Sequence, residues 1–192
     1  MKRKELFFIV ISLVLVPFFA NAKPLFLGDS LTYELAMSYK KNHPVDAKFL
    51  ESTGLNSSQI LDWQDYLQHI PISRYDTVYI VLGTNDLIQS SEIELYQGKA
   101  ERFIKAIKRQ NNNVVWLLPP ALKSTEKNVL LKNTRRAILN ACKKENIAML
   151  DMQNALGDKY TTVINGVQVR SNDGIHITGK GADRVIGHFF SK

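Results

Sequence analysis

One cysteine, Cys142, occurs in 192 residues, so no internal disulfide can form. The fold must rest on its packed core, and a chain of this length with 45% hydrophobic residues can build one. Cys142 falls within a helical pattern and reads as buried filler rather than a reactive thiol. No His/Cys cluster has metal-ligand spacing, so no metal and no other cofactor is expected. No glycine-rich phosphate loop opens a helix. Repeats and low-complexity tracts are missing. The longest apolar run, Leu6 to Phe19, is interrupted only by Ser12 and is short for a membrane span. Charged residues make up 22% of the chain, and the net charge of +7 is spread rather than clustered. That argues against nucleic acid as a partner. A modest positive excess suits anionic surroundings such as a cell wall or phospholipid surface.

The apolar run has a context. Lys2, Arg3 and Lys4 precede it, Pro17 sits near its end, and Ala20-Asn21-Ala22 follows with small residues. These are the three parts of a secretory signal peptide, with an uncleaved anchor as the alternative. Cleavage after Ala22 leaves a single domain, residues 23–192, with a formal charge of +5 (22 basic against 17 acidic residues). The expected location is periplasmic or secreted, with no membrane anchor after cleavage. The absence of a cysteine near the cleavage point suggests no lipid attachment there.

Beyond that point strands and helices alternate. Pro24 to Leu27 reads as a strand and Leu31 to Lys41 as a helix, stopped by Asn42-His43-Pro44. Ala47 to Leu50 is a second short strand. A small, polar loop follows, Ser52 to Ser57, and Ser57 or Ser58 could cap a helix carrying Ile60, Leu61, Trp63, Tyr66 and Leu67. Asp76 to Leu82 is nearly continuous β-branched and apolar sequence, the clearest buried strand. It runs into Gly83-Thr84-Asn85-Asp86. Helices near 93–110 and 127–145 flank a fourth strand, Val114 to Leu118, and Ile147 to Leu150 is a fifth. Asn165-Gly166 between two β-rich stretches predicts a late hairpin. A final helix spans about 179–190. This alternation predicts an α/β fold with a mostly parallel sheet and helices on both faces. The polar loops after the first three strands then share its carboxyl edge, where such folds bind ligands.

Acyl transfer needs a nucleophile, a base, a group that orients the base, and donors for the oxyanion. Ser30, in Gly28-Asp29-Ser30-Leu31, can be the nucleophile; the simpler reading makes it a helix cap. His176 can be the base, and Asp173, three residues earlier, can fix its tautomer. The backbone N–H groups of Ser30 and Gly54 and the side-chain amide of Asn85 can be the donors. Asp29 and Asp86 adjoin these positions and read as loop-shaping residues. Trp63 and Trp116 read as core aromatics, with pocket lining as the alternative. His43 reads as a solvated loop residue, and His69 and His188 as structural. Arg170 either meets an anionic substrate group or pairs on the surface.

Gly-Asp-Ser-Leu, Gly54, Gly-Thr-Asn-Asp and Asp-x-x-His, in this order and at successive strand ends, resemble the four blocks of the SGNH hydrolases, also called GDSL esterases and lipases. The chain lacks the Gly-x-Ser-x-Gly elbow of general α/β-hydrolases. Glu34 departs from the pattern, since many members carry glycine there. Ser52 to Leu55 with Asp62-Trp63, Val114 to Trp116 before Pro119, and Arg170 to Thr178 resemble exported bacterial SGNH proteins, including domains that handle O-acetyl groups on peptidoglycan and other surface glycans. The resemblance implies a flavodoxin-like three-layer α/β/α fold with strand order 2-1-3-4-5, and catalysis without a metal. It also implies an exported serine esterase acting on short acyl esters, with acylated carbohydrate or another small ester as substrate. The rivals are an O-acetyltransferase with the same triad, a lysophospholipase or thioesterase with a long apolar groove, and a non-catalytic glycan-binding protein. The loops at 86–98 and 119–128 are mostly polar, which counts against a long groove.

Overall fold

A computed structural model describes residues 23–56 and 59–190. The leader segment and the two serines proposed as a helix cap, Ser57 and Ser58, lie outside the described residues. Five parallel strands form one sheet: β1 (Leu25–Gly28), β2 (Asp46–Phe49), β3 (Val78–Val81), β4 (Val114–Leu118) and β5 (Ala148–Asp151). Their spatial order is β2-β1-β3-β4-β5, as the family pattern implies. The helices are α1 (Leu31–Lys40), α2 (Trp63–Tyr66), α3 (Ile93–Lys108), α4 (Thr125–Glu145), α5 (Met152–Leu156) and α6 (Gly179–Phe190). A two-stranded antiparallel hairpin, β6 (Val163–Ile164) and β7 (Val167–Gln168), precedes α6. Its turn residues Asn165 and Gly166 both have positive φ, as the Asn-Gly signal requires.

The sheet divides two apolar layers. On one face Leu25, Leu27, Ile80 and Trp116 pack with Phe103, Ile104 and Ile138 from α3 and α4. On the other, Phe26, Val81 and Leu117 pack with Leu35, Val185 and Met152 from α1, α6 and α5. All of these side chains are buried, and each contributes roughly 1.5–3 kcal/mol relative to exposure. Both tryptophans are core aromatics: Trp116 donates to the Leu82 carbonyl and Trp63 to the Thr53 hydroxyl. Cys142 is buried, and burial pushes its thiol up to about 12.

Two stretches differ from expectation. The helix drawn from Ser57 onward is one turn, capped by Asp62, which accepts from Gln64 and Asp65 N–H and sets the start at Trp63. A 3-10 turn, Leu67–His69, continues it. The helix α5 was not foreseen; Asp151 caps it by accepting from Gln153 N–H.

Register fixes the working edge. Gly28 pairs with Phe49 on one side and Val81 on the other, so β1, β2 and β3 end level. A Cβ on Gly28 would overlap the Val81 carbonyl, so glycine is required by the close approach of β3.

Candidate active site

The chain leaves β1 and enters α1 through Asp29 and Ser30. Asp29 is buried and accepts from the Leu31 N–H, the bond a cap would make. The Ser30 hydroxyl makes no capping hydrogen bond. It lies instead 2.8 Å from His176 Nε2. His176 Nδ1 lies 2.8 Å from Asp173 Oδ2, so one hydrogen-bonded line joins Ser30, His176 and Asp173. The fold closes a gap of 146 positions to do this.

Asp173 is partly exposed. Desolvation, the largest single influence, would raise its pKa, but donors from the backbone N–H of His176 and Ile175, the His176 ring and the Ser171 hydroxyl together outweigh it. Together they hold the carboxyl well below the usual range, so it stays ionised. One carboxyl oxygen holds the loop while the other faces the imidazole.

Arg170 serves neither role considered for it. It is buried, with 2% of its surface exposed, and points back into the loop that carries Asp173 and His176. Its Nη2 donates to the Ile175 carbonyl at 2.7 Å and its Nε to the His176 carbonyl at 3.3 Å. The guanidinium carbon sits 4.8 Å from the Tyr160 ring centre, a cation–π contact. Tyr160 itself donates to the Ser171 carbonyl. Ser171 N–H to His176 carbonyl and the Arg170–Ile177 bridge close the loop on itself. Burial lowers the guanidinium pKa, and Tyr160 and Asp173 work against that. Sequence reading missed this clamp, because backbone carbonyls carry no residue signature.

The loops after β2 and β3 are stitched together. Asn85 Nδ2 donates to the Thr53 carbonyl at 2.9 Å. The buried Asp86 carboxylate accepts from Leu55 and Asn56 N–H and from the Tyr96 hydroxyl. Burial beside that carboxylate raises the Tyr96 hydroxyl well above its ordinary pKa. A Cβ on Gly54 would overlap the Asp86 carboxylate, so only glycine fits. One feature departs from the expected oxyanion hole. Carbonyl and N–H of a trans peptide point in opposite directions. With the Thr53 carbonyl turned toward Asn85, the Gly54 N–H is turned away from that amide, and the two do not converge on one point in this arrangement.

A cleft of about 220 Å³ opens over Ser30 and His176 and is also lined by Tyr33, Glu34 and Glu51. Gly54 lines a separate cavity of about 280 Å³ with Trp63 and Lys99. His43, His69 and His188 lie outside the cleft. Among the described residues, no group of three or more His, Cys, Asp and Glu is arranged to hold a metal ion. None of the described helices is long and apolar enough to cross a membrane.

Asp29 offers a test of the buried environment behind Ser30. Burial raises its pKa most strongly, the Leu31 N–H opposes this, the Asp86 charge adds to it, and Thr84 opposes it; the result is about 7. Its unfolded value is near 3.8. Between these values the folded protein holds a proton that the unfolded chain has lost, so stability falls as pH rises from 4 to 7 and then levels. Three pKa units correspond to about 4 kcal/mol. Asp29→Asn keeps the side chain neutral. Its melting temperature relative to the parent is expected to rise from pH 4 to about pH 7 and then level. Parallel melting curves across that range would remove the buried-proton account.

A family profile described as "Protein of unknown function (DUF459)" matches residues 23–192. Among curated proteins, none has a matching sequence. Solved structures do match. A lipase/acylhydrolase from Enterococcus faecalis is 16% identical, with 84% of this chain and 90% of that one covered and a TM-score of 0.61. A carbohydrate esterase family 3 protein from Talaromyces cellulolyticus is also 16% identical, with 86% and 93% covered and a TM-score of 0.61. An acetyl xylan esterase from Geobacillus stearothermophilus is 14% identical, with 85% and 90% covered and a TM-score of 0.57. The profile spans every residue from Lys23 on, and the sheet order matches the SGNH α/β fold. The chain therefore belongs to the family described as DUF459, an SGNH-like family, and carries the SGNH α/β fold.

Proposed function

We propose that the protein is an exported serine esterase that removes short acyl groups, acetyl above all, from surface or cell-wall carbohydrate. The single observation carrying this reading is the unbroken line from Ser30 Oγ through His176 to Asp173, with 2.8 Å at each step. Ser30 attacks the ester carbonyl as its proton passes to His176 Nε2. Asp173 accepts from Nδ1–H, which keeps Nε2 as the basic nitrogen and stabilises the imidazolium. Collapse of the tetrahedral intermediate expels the alcohol, which takes the proton back from His176. Water then repeats the sequence on the acyl-enzyme, releasing the acid and restoring Ser30.

The oxyanion donors in this reading are the Ser30 N–H and the second hydrogen of the Asn85 amide, whose first is spent on the Thr53 carbonyl. Export is part of the proposal and rests on the basic, apolar and small-residue pattern of residues 1–22. The solved relatives that act on acetyl xylan support the choice of acyl group.

The cleft over Ser30 is small, about 220 Å³, and Glu34 and Glu51 are among its lining residues, which favours a short acyl group over a long apolar one. A series of p-nitrophenyl esters tests this with purified protein lacking residues 1–22. The expected kcat/KM is greatest for acetyl and falls by tenfold or more by octanoyl. A steady rise toward octanoyl would replace the carbohydrate reading with the lipid one.

A further inference from the structure

Three apolar side chains are exposed beside the nucleophile. Tyr33 is 46% exposed, Met37 44% and Phe49 40%. Tyr33 and Phe49 are in ring contact, and Met37 lies on the same face of α1 as Tyr33. Ser30 and Tyr33 are one helical turn apart at the start of α1, and Met37 follows four residues later on the same side. Phe49 is the register partner of Gly28, two residues before Ser30. The Tyr33 and Phe49 rings are 5.5 Å apart and inclined at 50°, so they make a shallow, open angle rather than a packed stack. Tyr33 also lines the cleft over Ser30, together with Glu34, Glu51, Leu31 and Ile177.

An apolar surface set beside carboxylates selects its occupant. A long acyl chain would cover the rings but would strip water from Glu34 and Glu51 without replacing it. An anionic ring would meet two like charges at the cleft wall. A neutral sugar ring satisfies both: its C–H face covers the aromatic surface, and its hydroxyls donate to the carboxylates. We propose that Tyr33 and Phe49 form the seat for a neutral pyranose of the leaving alcohol, with Glu34 and Glu51 as its hydroxyl acceptors. This names the alcohol side of the substrate and rests on the esterase reading. It distinguishes an uncharged glycan from an acidic one, a choice the catalytic triad cannot make.

The test compares partly O-acetylated xylo-oligosaccharides with p-nitrophenyl acetate, which offers no sugar. In Tyr33→Ala and Phe49→Ala, the ratio of kcat/KM for the oligosaccharide to that for p-nitrophenyl acetate is expected to fall by roughly tenfold, mainly through KM. Tyr33→Phe keeps the ring and should restore most of the ratio. Tyr33→Leu keeps apolar packing without a flat face and should not. Calorimetric titration with xylohexaose, cellohexaose and chitohexaose provides a readout independent of catalysis. Binding of at least one, weakened in Tyr33→Ala, supports the seat even if no ester is cleaved, in which case the esterase reading alone fails. An unchanged ratio, no affinity for any of the three, tighter binding of polygalacturonate, or a selective loss of octanoyl-ester cleavage in the variants would each overturn it.

Discussion

Ser30→Ala and His176→Ala are each expected to lower kcat for a short acyl ester by on the order of 10⁶, and the double variant hardly further. The reason is geometric. The hydroxyl has one base within reach, at 2.8 Å, and that base has one nucleophile to serve. Removing either member abolishes the same step, so the losses cannot add. A serine-reactive phosphonate should label the parent, fail on Ser30→Ala, and react far more slowly with His176→Ala. Asp173→Asn should cost roughly 10⁴, because it disturbs the tautomer while leaving Ser30 and His176 in place. One oxygen of the amide can still hold the Ile175 and His176 N–H groups, so the loop should keep its shape. Additive losses in the double variant would sink the mechanism. So would full activity in a folded Ser30→Ala protein, since Ser30 makes no cap bond whose loss could mislead a stability control.

The second large effect concerns the oxyanion. Asn85→Ala is expected to lower kcat by roughly 10²–10³, the usual result of removing one such donor. Asn85 is exposed and its side chain ties to the Thr53 carbonyl, so the melting temperature should move little. KM should also change little if the amide acts only on the charge that develops in the transition state. A fall of less than tenfold would remove Asn85 from catalysis and leave it a tie between two loops.

The parts of the site differ in how openly the sequence displays them. Gly28, Asn165-Gly166 and the continuous apolar run of β3 announce their conformations locally, because close approach, positive φ and full burial each restrict residue choice. Asp173 and His176 lie three residues apart, so their pairing needs only a loop. Arg170 was opaque because its partners are main-chain carbonyls, which any residue offers. The direction of the Gly54 N–H was opaque for the same reason: it depends on which way one peptide faces, and Asn85 decides that from 32 positions away. The short α2 shows a local rule overruled by a nearer one. Helical spacing of apolar residues begins at Ile60, which is left exposed, but the Asp62 carboxylate intercepts the first free N–H groups and starts the helix later.

The loop from Arg170 to Ile177 makes most of its hydrogen bonds within residues 160–178, with the Gly174 carbonyl also accepting from the Lys123 N–H and Ile177 seated in the core. Its guanidinium clamp, the Tyr160 hydroxyl and the Ser171–His176 bond all close within residues 160–177, whereas Ser30 and Asn85 hang from the central strands β1 and β3. Nucleophile and base thus hang from parts of the fold held by different bonds, and the loop, with fewer ties to the sheet, is expected to open more readily than the strands. Exchange of amide hydrogens should expose this division, with Ser171 and Thr178 losing protection together, well before Leu27 or Ile80. The catalytic competence of the folded population would then be set by the closing of one short loop, at temperatures where the sheet is still intact.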